Sequence, residues 1–214
     1  MDCLILVPTK TELQAADRIL NEASERVGGA VEVLGFGPIA AAARSMQLIL
    51  NHNPSRVVLV GIAGTYDATR FPVGSAMTFD EIYCWGVGVG MHQHTRSHEI
   101  GFDQVDAASA QAIGDRVVLK HSATESPAAL ITVCAASRDL AEADEKVAAI
   151  PNALAEDMEG FGVAMSCQLN NVPLLIIRGA SNRVGDREHA KWQIEKAMIS
   201  ASQLASQVLL EDKQ

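Results

Sequence analysis

The run Leu174-Leu175-Ile176-Ile177 holds no polar residue, with Pro173 before it and Arg178-Gly179 after it. A short apolar run without alternation suits a parallel strand buried on both faces, and such a strand needs a helical layer on each side. The residues before it predict one of those helices. Met158, Phe161, Met165 and Leu169 recur at spacings of three and four, the period of a helix with one apolar face. Gly160, Gly162, Ala164 and Ser166 keep its other side thin, so a close neighbour is expected there. Asn170-Asn171 ends the helix. Arg178, Gly179, Ser181 and Asn182 are then expected at the C-terminal end of the strand, where ligands bind in open α/β sheets. This arrangement puts Glu159, Arg178 and Asn182 within reach of one crevice. Each also has a purely structural account. A carboxylate in a first helical turn is favoured by the helix dipole, an Asn suits loop geometry, and an Arg can form a surface ion pair.

The same alternation of strand and helix runs through the chain. Residues 3–8 read as a buried strand, followed by a helix with Leu13, Ala16, Ile19 and Leu20 on its apolar face. Residues 31–34 read as a strand turning at Gly35-Phe36-Gly37-Pro38 into an alanine-rich helix. Residues 57–60 are the next strand, closing in Gly61-Ile62-Ala63-Gly64-Thr65, where glycines let a ligand approach the backbone. Further strands are expected at 75–79, 128–134 and 153–157, with a helix over 138–147. Residues 104–118 read as a helix and then a strand, and 192–210 as a long amphipathic helix. The expectation is one domain, residues 1–214: a three-layer α/β/α architecture around a central mixed, largely buried sheet.

Several function classes are set aside by composition. With 17 basic against 26 acidic residues and a formal charge of −9, the chain has no basic stripe for nucleic acid or an anionic membrane. Cys3, Cys84, Cys134 and Cys167 fall in or beside apolar runs without a CxxC pair, which suits reduced thiols in a cytoplasmic protein. The opening apolar run is too short for a signal core, and no stretch is long enough to span a bilayer. Gly35-Phe36-Gly37 lacks the third glycine and the acidic residue of a dinucleotide site. His92, His94 and His98 match no common metal spacing. They read as a polar loop at the crevice mouth, and no metal or cofactor is expected. Glu12 stands where the first strand becomes helix, and Thr9-x-x-Glu12 fits a capping box.

Together these residues resemble a known family. Met158-Glu159-Gly160, then RGASN at 178–182, then Trp192, is similar to the purine nucleoside phosphorylase/nucleosidase superfamily. The longer string RGASNRVGDREHAKWQI at 178–194 resembles its futalosine hydrolase branch. The resemblance spans essentially the whole chain, though residues 80–102 depart from the acidic, glycine-rich pattern of that branch. It implies a small-molecule purine nucleoside as substrate and a homo-oligomer, a dimer or larger. It implies catalytic roles for Glu12, Glu159 and Asn182, with Ala63, Gly64, Met158, Arg178, Ser181 and Trp192 holding the substrate. Phosphorylases of the superfamily carry an arginine in the 61–65 loop to hold phosphate. Ile62 stands in that slot here, which tilts the expectation from phosphorolysis to hydrolysis.

Cleaving an N-glycosidic bond passes through an oxocarbenium-like sugar, so water must be activated, the sugar held and the departing base stabilised. The resemblance gives the first task to Glu12 and the second to Glu159, whose charge also favours the developing cation. Asn182 faces the purine. Its amide offers both a donor and an acceptor, suiting O6 and N7 of a 6-oxopurine. Adenine-specific relatives have Asp there. The implied reaction is futalosine to hypoxanthine and dehypoxanthinyl futalosine, a step of menaquinone synthesis. Alternatives are a purine nucleoside phosphorylase, a methylthioadenosine/adenosylhomocysteine nucleosidase, or a non-catalytic nucleoside binder, against which retention of both Glu12 and Glu159 argues.

Overall fold

The computed structural model describes residues 1–90, 95–106, 112–119 and 127–211. In chain order the elements are β1 Cys3–Val7, α1 Lys10–Arg26, β2 Gly29–Val33, α2 Pro38–His52 and β3 Val57–Thr65. Next come β4 Ala76–Thr78, β5 Glu81–Trp85, a small hairpin of β6 Gly88–Val89 and β7 Thr95–Arg96, and a 3₁₀ turn, Ser97–Ile100. The chain continues through β8 Arg116–Val118, β9 Ala129–Val133, α3 Leu140–Ala149, β10 Ala153–Asp157, α4 Gly160–Leu169 and β11 Leu174–Arg183. It ends in a 3₁₀ turn, His189–Lys191, and α5 Ile194–Glu211.

Nine strands form one mixed sheet, in the order β2-β1-β3-β10-β9-β5-β8, with β11 on the other edge of β3 and β4 beyond it. The expected α/β/α layering is what forms. Helices α1 and α5 cover one face, packing Leu20, Ala23, Met198 and Ala205 against Ile5, Val58 and Val60. Helices α2 and α4 cover the other, with Leu48, Phe161 and Val163 against Leu4, Leu59 and Ile176. On the far side of β9, Ile150 at the end of α3 closes a third cluster with Ala129, Ile131 and Val133. Among the described residues no helix is long and apolar enough to cross a membrane.

The site is made by a fork in this sheet. Along one edge β3 pairs with β1 over Val57–Leu59 only, and β10 joins that edge, antiparallel, at Gly64 and Thr65. The other edge pairs with β11 along the full length of β3. Between β1 and β10, the Ile62 N–H takes a side-chain acceptor, Glu12 Oε1 at 3.0 Å, in place of a strand. Buried backbone donors must find a partner, so the fork itself calls for a carboxylate at that point.

Four expectations need correction. The residues Arg178 to Asn182 lie inside β11, which runs to Arg183, because pairing with β3 continues past Gly179 to Arg183. Helix α4 begins at Gly160, so Met158 precedes it and Glu159 is its N-cap residue rather than a first-turn residue. The helix is buried almost all round, not on one stripe, since it is sandwiched between the sheet and α2. A Cβ at Gly162 would sit 2.4 Å from the Pro38 carbonyl oxygen, and Ser166 Oγ donates to the Ala42 carbonyl at 3.0 Å, so the thin side does meet a close neighbour. Third, Glu81–Trp85 is a strand where none was expected. Fourth, the helix expected from residue 104 has its middle, 107–111, outside the described residues, while Val105 and Ile113 pair as an antiparallel bridge.

Candidate active site

A crevice of about 260 Å³ opens at the fork, bordered by the start of α1, β3, β10, β11 and the turn before α2. Glu12, Ala63, Gly64, Met158, Glu159, Ser181, Asn182 and Trp192 all line it. Eight of the nine residues singled out from sequence are thus brought together. The ninth, Arg178, lies behind the wall.

Glu12 is fixed from two sides. The Thr9 hydroxyl caps α1 by accepting the Glu12 N–H at 3.2 Å and donates to Glu12 Oε2 at 2.6 Å. Glu12 Oε1 takes the Ile62 N–H. Only half of the expected capping box forms, because the glutamate takes the Thr9 hydroxyl and the Ile62 N–H of β3 rather than the Thr9 backbone N–H. One carboxylate therefore ties the helix start to the fork while facing the crevice.

Behind the wall stands a fully buried guanidinium, Arg178, 0% exposed. It is not the surface ion pair its sequence position allowed. Its Nε donates to Asp157 Oδ2 at 3.0 Å, its Nη2 bonds the same oxygen, and Glu159 Oε2 lies 3.9 Å from Nη2. Burial alone lowers the pKa of such a group, but Asp157, Glu159 and Glu12 together raise it above the usual arginine value. Asp157 is further held by the Thr132 hydroxyl at 2.6 Å and the Gly160 N–H at 2.9 Å. Nη1 of Arg178 has no partner among the described residues. It packs on Gly61, where a Cβ would lie 2.0 Å from it and 3.0 Å from Glu12 Oε1. A donor without a protein partner and a crevice carboxylate thus border the same glycine.

Glu159 leans the other way, accepting the Gly37 N–H at 3.1 Å. That explains the glycine turn at 35–37, which presents a backbone donor to the site. Burial first, then the Asp157 carboxylate, push Glu159 up to about 7, against the pull of Arg178 and the Gly37 N–H. Desolvation of this kind places a carboxyl near neutrality, as functional sites often do.

Asn182 is aimed by a β-bulge. Ala180 pairs with Ala63 and Asn182 with Gly64, leaving Ser181 as the extra residue, and bulges of this sort re-aim side chains beside sites. Ser181 Oγ is 2.7 Å from Asn182 Oδ1 and 3.3 Å from the Ala63 carbonyl. Asn182 Nδ2 donates to the Arg183 carbonyl at 2.8 Å. One N–H and one lone pair of the amide remain for a ligand. Trp192 forms part of the wall. His189 stacks on its ring at 4.3 Å, the Arg187 guanidinium lies 5.3 Å from its centroid, and its N–H donates to the Asp186 carbonyl.

Sequence reasoning passed over Glu156, Asp157, Phe36 and Thr9, which also line the crevice. A signal existed for the first two: three carboxylates in four residues, Glu156, Asp157 and Glu159, follow the apolar Ala153-Leu154-Ala155. Of the histidines, His92 and His94 lie outside the described residues. Among the described residues no group of three His, Cys, Asp or Glu is placed to hold a metal.

Comparison with known proteins follows the same lines. The family model described as Phosphorylase superfamily matches residues 24–211. Glu12 lies ahead of that stretch, so its place rests on the geometry above. The futalosine hydrolase of Streptomyces coelicolor is 33% identical over 183 residues, covering 78% of this chain and 72% of that protein. A 5′-methylthioadenosine/S-adenosylhomocysteine nucleosidase of Staphylococcus aureus is 25% identical over 79% of this chain and 75% of its own. Two solved structures share the fold. The nucleosidase of that kind from Colwellia psychrerythraea, in complex with adenine, superposes with TM-score 0.77 at 18% identity over 99% of this chain and 95% of its own. The futalosine hydrolase of Helicobacter pylori gives 0.75 at 12% identity, over 100% and 98%. This chain belongs to the phosphorylase superfamily and is a relative of futalosine hydrolase.

Proposed function

We propose that the protein hydrolyses the N-glycosidic bond of a 6-oxopurine nucleoside, most simply futalosine, releasing hypoxanthine and dehypoxanthinyl futalosine in menaquinone biosynthesis. The observation that carries the reading is the pair of crevice carboxylates, Glu12 and Glu159, set around one buried guanidinium with an unpartnered N–H. A water between Arg178 Nη1 and Glu12 Oε1 would be oriented by the first and lose its proton to the second as it attacks the anomeric carbon. Glu159, once ionised, accepts from ribose hydroxyls and stabilises the cationic sugar. The purine leaves with the bonding electrons toward Asn182. Ala63, Gly64 and Met158 form the surface against base and ribose, Ser181 holds the Asn182 amide, and Trp192 closes the base end. Arg178 acts on the substrate through this water and through Glu159.

Ile62, in the slot where phosphorylases of the superfamily carry an arginine, favours water over phosphate as nucleophile. Free thiols at all four cysteines suit the cytoplasm. A homo-oligomer is supported by Phe36 and Ile39, 69% and 83% exposed beside the crevice, since apolar side chains so placed favour a covering partner. The adenine nucleosidases among the relatives supply a second reading, which the test separates. Purified protein is incubated with futalosine, inosine and methylthioadenosine, with and without phosphate and with a chelator. Hypoxanthine released from futalosine under all conditions supports the proposal. Adenine from methylthioadenosine as the main product replaces it.

A further inference from the structure

One cation at the crevice has no part in the chemistry above. Among the described residues lining the crevice, Glu12, Glu156, Asp157 and Glu159 are acids and Arg187 is the one basic residue. The cations behind the wall are already committed. Arg178 is bound to Asp157, and Lys146 Nζ donates to Ser137 Oγ at 2.7 Å and lies 3.9 Å from Glu156 Oε2. Glu156 itself accepts the Tyr66 hydroxyl at 2.9 Å and both the hydroxyl and the N–H of Ser137 at 2.7 Å. Arg187 differs from these two cations in being exposed, so it stands at the mouth of the crevice.

The turn that carries Arg187 is tied down at both ends. The Val184 N–H donates to the Thr65 carbonyl at 2.9 Å, and the Gln193 N–H donates to the Ser181 carbonyl at 2.8 Å. Trp192 therefore reaches from the base end, beside Ser181, out to the rim. Its ring is fixed by the Asp186 carbonyl and by the stacked His189, so the Arg187 guanidinium over it rests on a held platform. The acids on either side of Arg187 are engaged elsewhere. Asp186 Oδ1 accepts the Glu188 N–H at 2.9 Å, and Glu188 pairs with Lys191 at 2.8 Å. No carboxylate pairs with Arg187 among the described residues. A cation–π contact occupies no acceptor atom, so the planar fork of N–H donors stays available for a carboxylate.

We infer that Arg187 is a specificity-determining residue, pairing with a carboxylate at the outer end of the substrate, on the 5′ side of the sugar. The inference rests on the hydrolase reading of the same crevice and deepens it. The base lies against Asn182 and the sugar between Glu12 and Glu159, so the substituent on the 5′ side is the part that reaches the mouth. Phe36, Ile62 and Ile194 also line the crevice, and an apolar surface that ends in one cation without a carboxylate partner suits an aromatic acid. Futalosine ends in one, a benzoate joined through a ketone to the 5′ side of its ribose. The field of the four crevice carboxylates opposes an approaching anion, and a cation at the mouth offsets that field and steers the acid inward. Inosine and methylthioadenosine carry no such anion, so Arg187 separates the acid from nucleosides with neutral 5′ groups.

The test compares kcat/KM for futalosine and for its carboxamide, which replaces the acid by a neutral group of nearly equal size, in the wild type and in Arg187→Gln. The expected result is a loss of at least about tenfold on futalosine with a much smaller loss on the carboxamide. Equal losses on both substrates, or none, overturn the inference and leave Arg187 as a brace for Trp192. Cleavage of neither substrate by the wild type refutes the hydrolase reading instead. In that event, or if the variant does not fold, calorimetry on the wild type decides. Futalosine is expected to bind at least about tenfold more tightly than its carboxamide, with the difference shrinking as salt is raised. Equal affinities for the two overturn the inference.

Discussion

Replacing Glu159 by Gln removes a charge and keeps the shape, and its effects on stability and turnover are expected to run in opposite directions. In the folded protein the Glu159 carboxyl is pushed from 4.5 up to about 7, by burial first and Asp157 second. A raised carboxyl binds its proton more tightly when folded. Its contribution to stability is therefore full below about pH 4.5 and is lost as pH rises through about 7. A rise of about 2.5 in pKa, at about 1.36 kcal/mol for each, makes this loss about 3 kcal/mol. Glu159→Gln should match the wild type in stability at pH 4.5 and exceed it by up to about that amount at pH 8. Turnover should do the reverse. A carboxylate about 4 Å from the developing sugar cation, at an effective dielectric constant of about 20, is worth about 4 kcal/mol. Losing one preorganised electrostatic partner typically costs about 10²- to 10³-fold. The wild-type kcat/KM should also fall below about pH 7, as the free enzyme's Glu159 protonates, and the variant should lack that limb. Denaturant melts and initial rates on the same preparations at pH 4.5, 6, 7 and 8 check all three. A variant less stable than the wild type at pH 8, or one retaining activity within fivefold, refutes the reasoning.

Glu12→Gln should lower turnover at least about 10²-fold. If the carboxylate serves only as a clamp between Thr9 and Ile62, the melt should instead show a loss of about 1 kcal/mol with turnover intact. Asn182→Asp should shift the ratio of kcat/KM from futalosine toward its 6-amino analogue by at least about tenfold, about 1.4 kcal/mol. An unchanged ratio means Asn182 does not touch the base. Gly61→Ala, whose Cβ would meet Arg178 Nη1 at 2.0 Å, should cost about 1–3 kcal/mol by overpacking and displace the guanidinium, seen as a fall in kcat larger than the rise in KM. A variant with wild-type kcat would show that Arg178 has no bearing on the chemistry.

What the sequence made legible follows from how local each signal is. The apolar run at 174–177 identified a buried strand because both faces of β11 are covered, and MEG with RGASN located the crevice because both segments end at the fork. Features set by tertiary pairing were not visible. Whether Arg178 lies on the surface or in the core depends on Asp157, which is distant in sequence and stands on β10, across β3 from β11. The fork in β3 extended the strand through Gly61 and Gly64, against the usual reading of glycines as strand ends. Glu156 looked like one more acidic residue, since nothing local reveals that Ser137, Tyr66 and Lys146 converge on it. Strand β5 was hidden because Glu81-Ile82-Tyr83-Cys84-Trp85 runs directly into a glycine-rich stretch.

The central claim is that water, activated beside Glu12, displaces a 6-oxopurine. It is tested most directly by running the reaction on futalosine in ¹⁸O-labelled water with excess phosphate and weighing the sugar product. The account predicts unlabelled hypoxanthine together with a free sugar carrying one ¹⁸O at the anomeric hydroxyl. A sugar 1-phosphate without label, or intact futalosine after prolonged incubation, would contradict it.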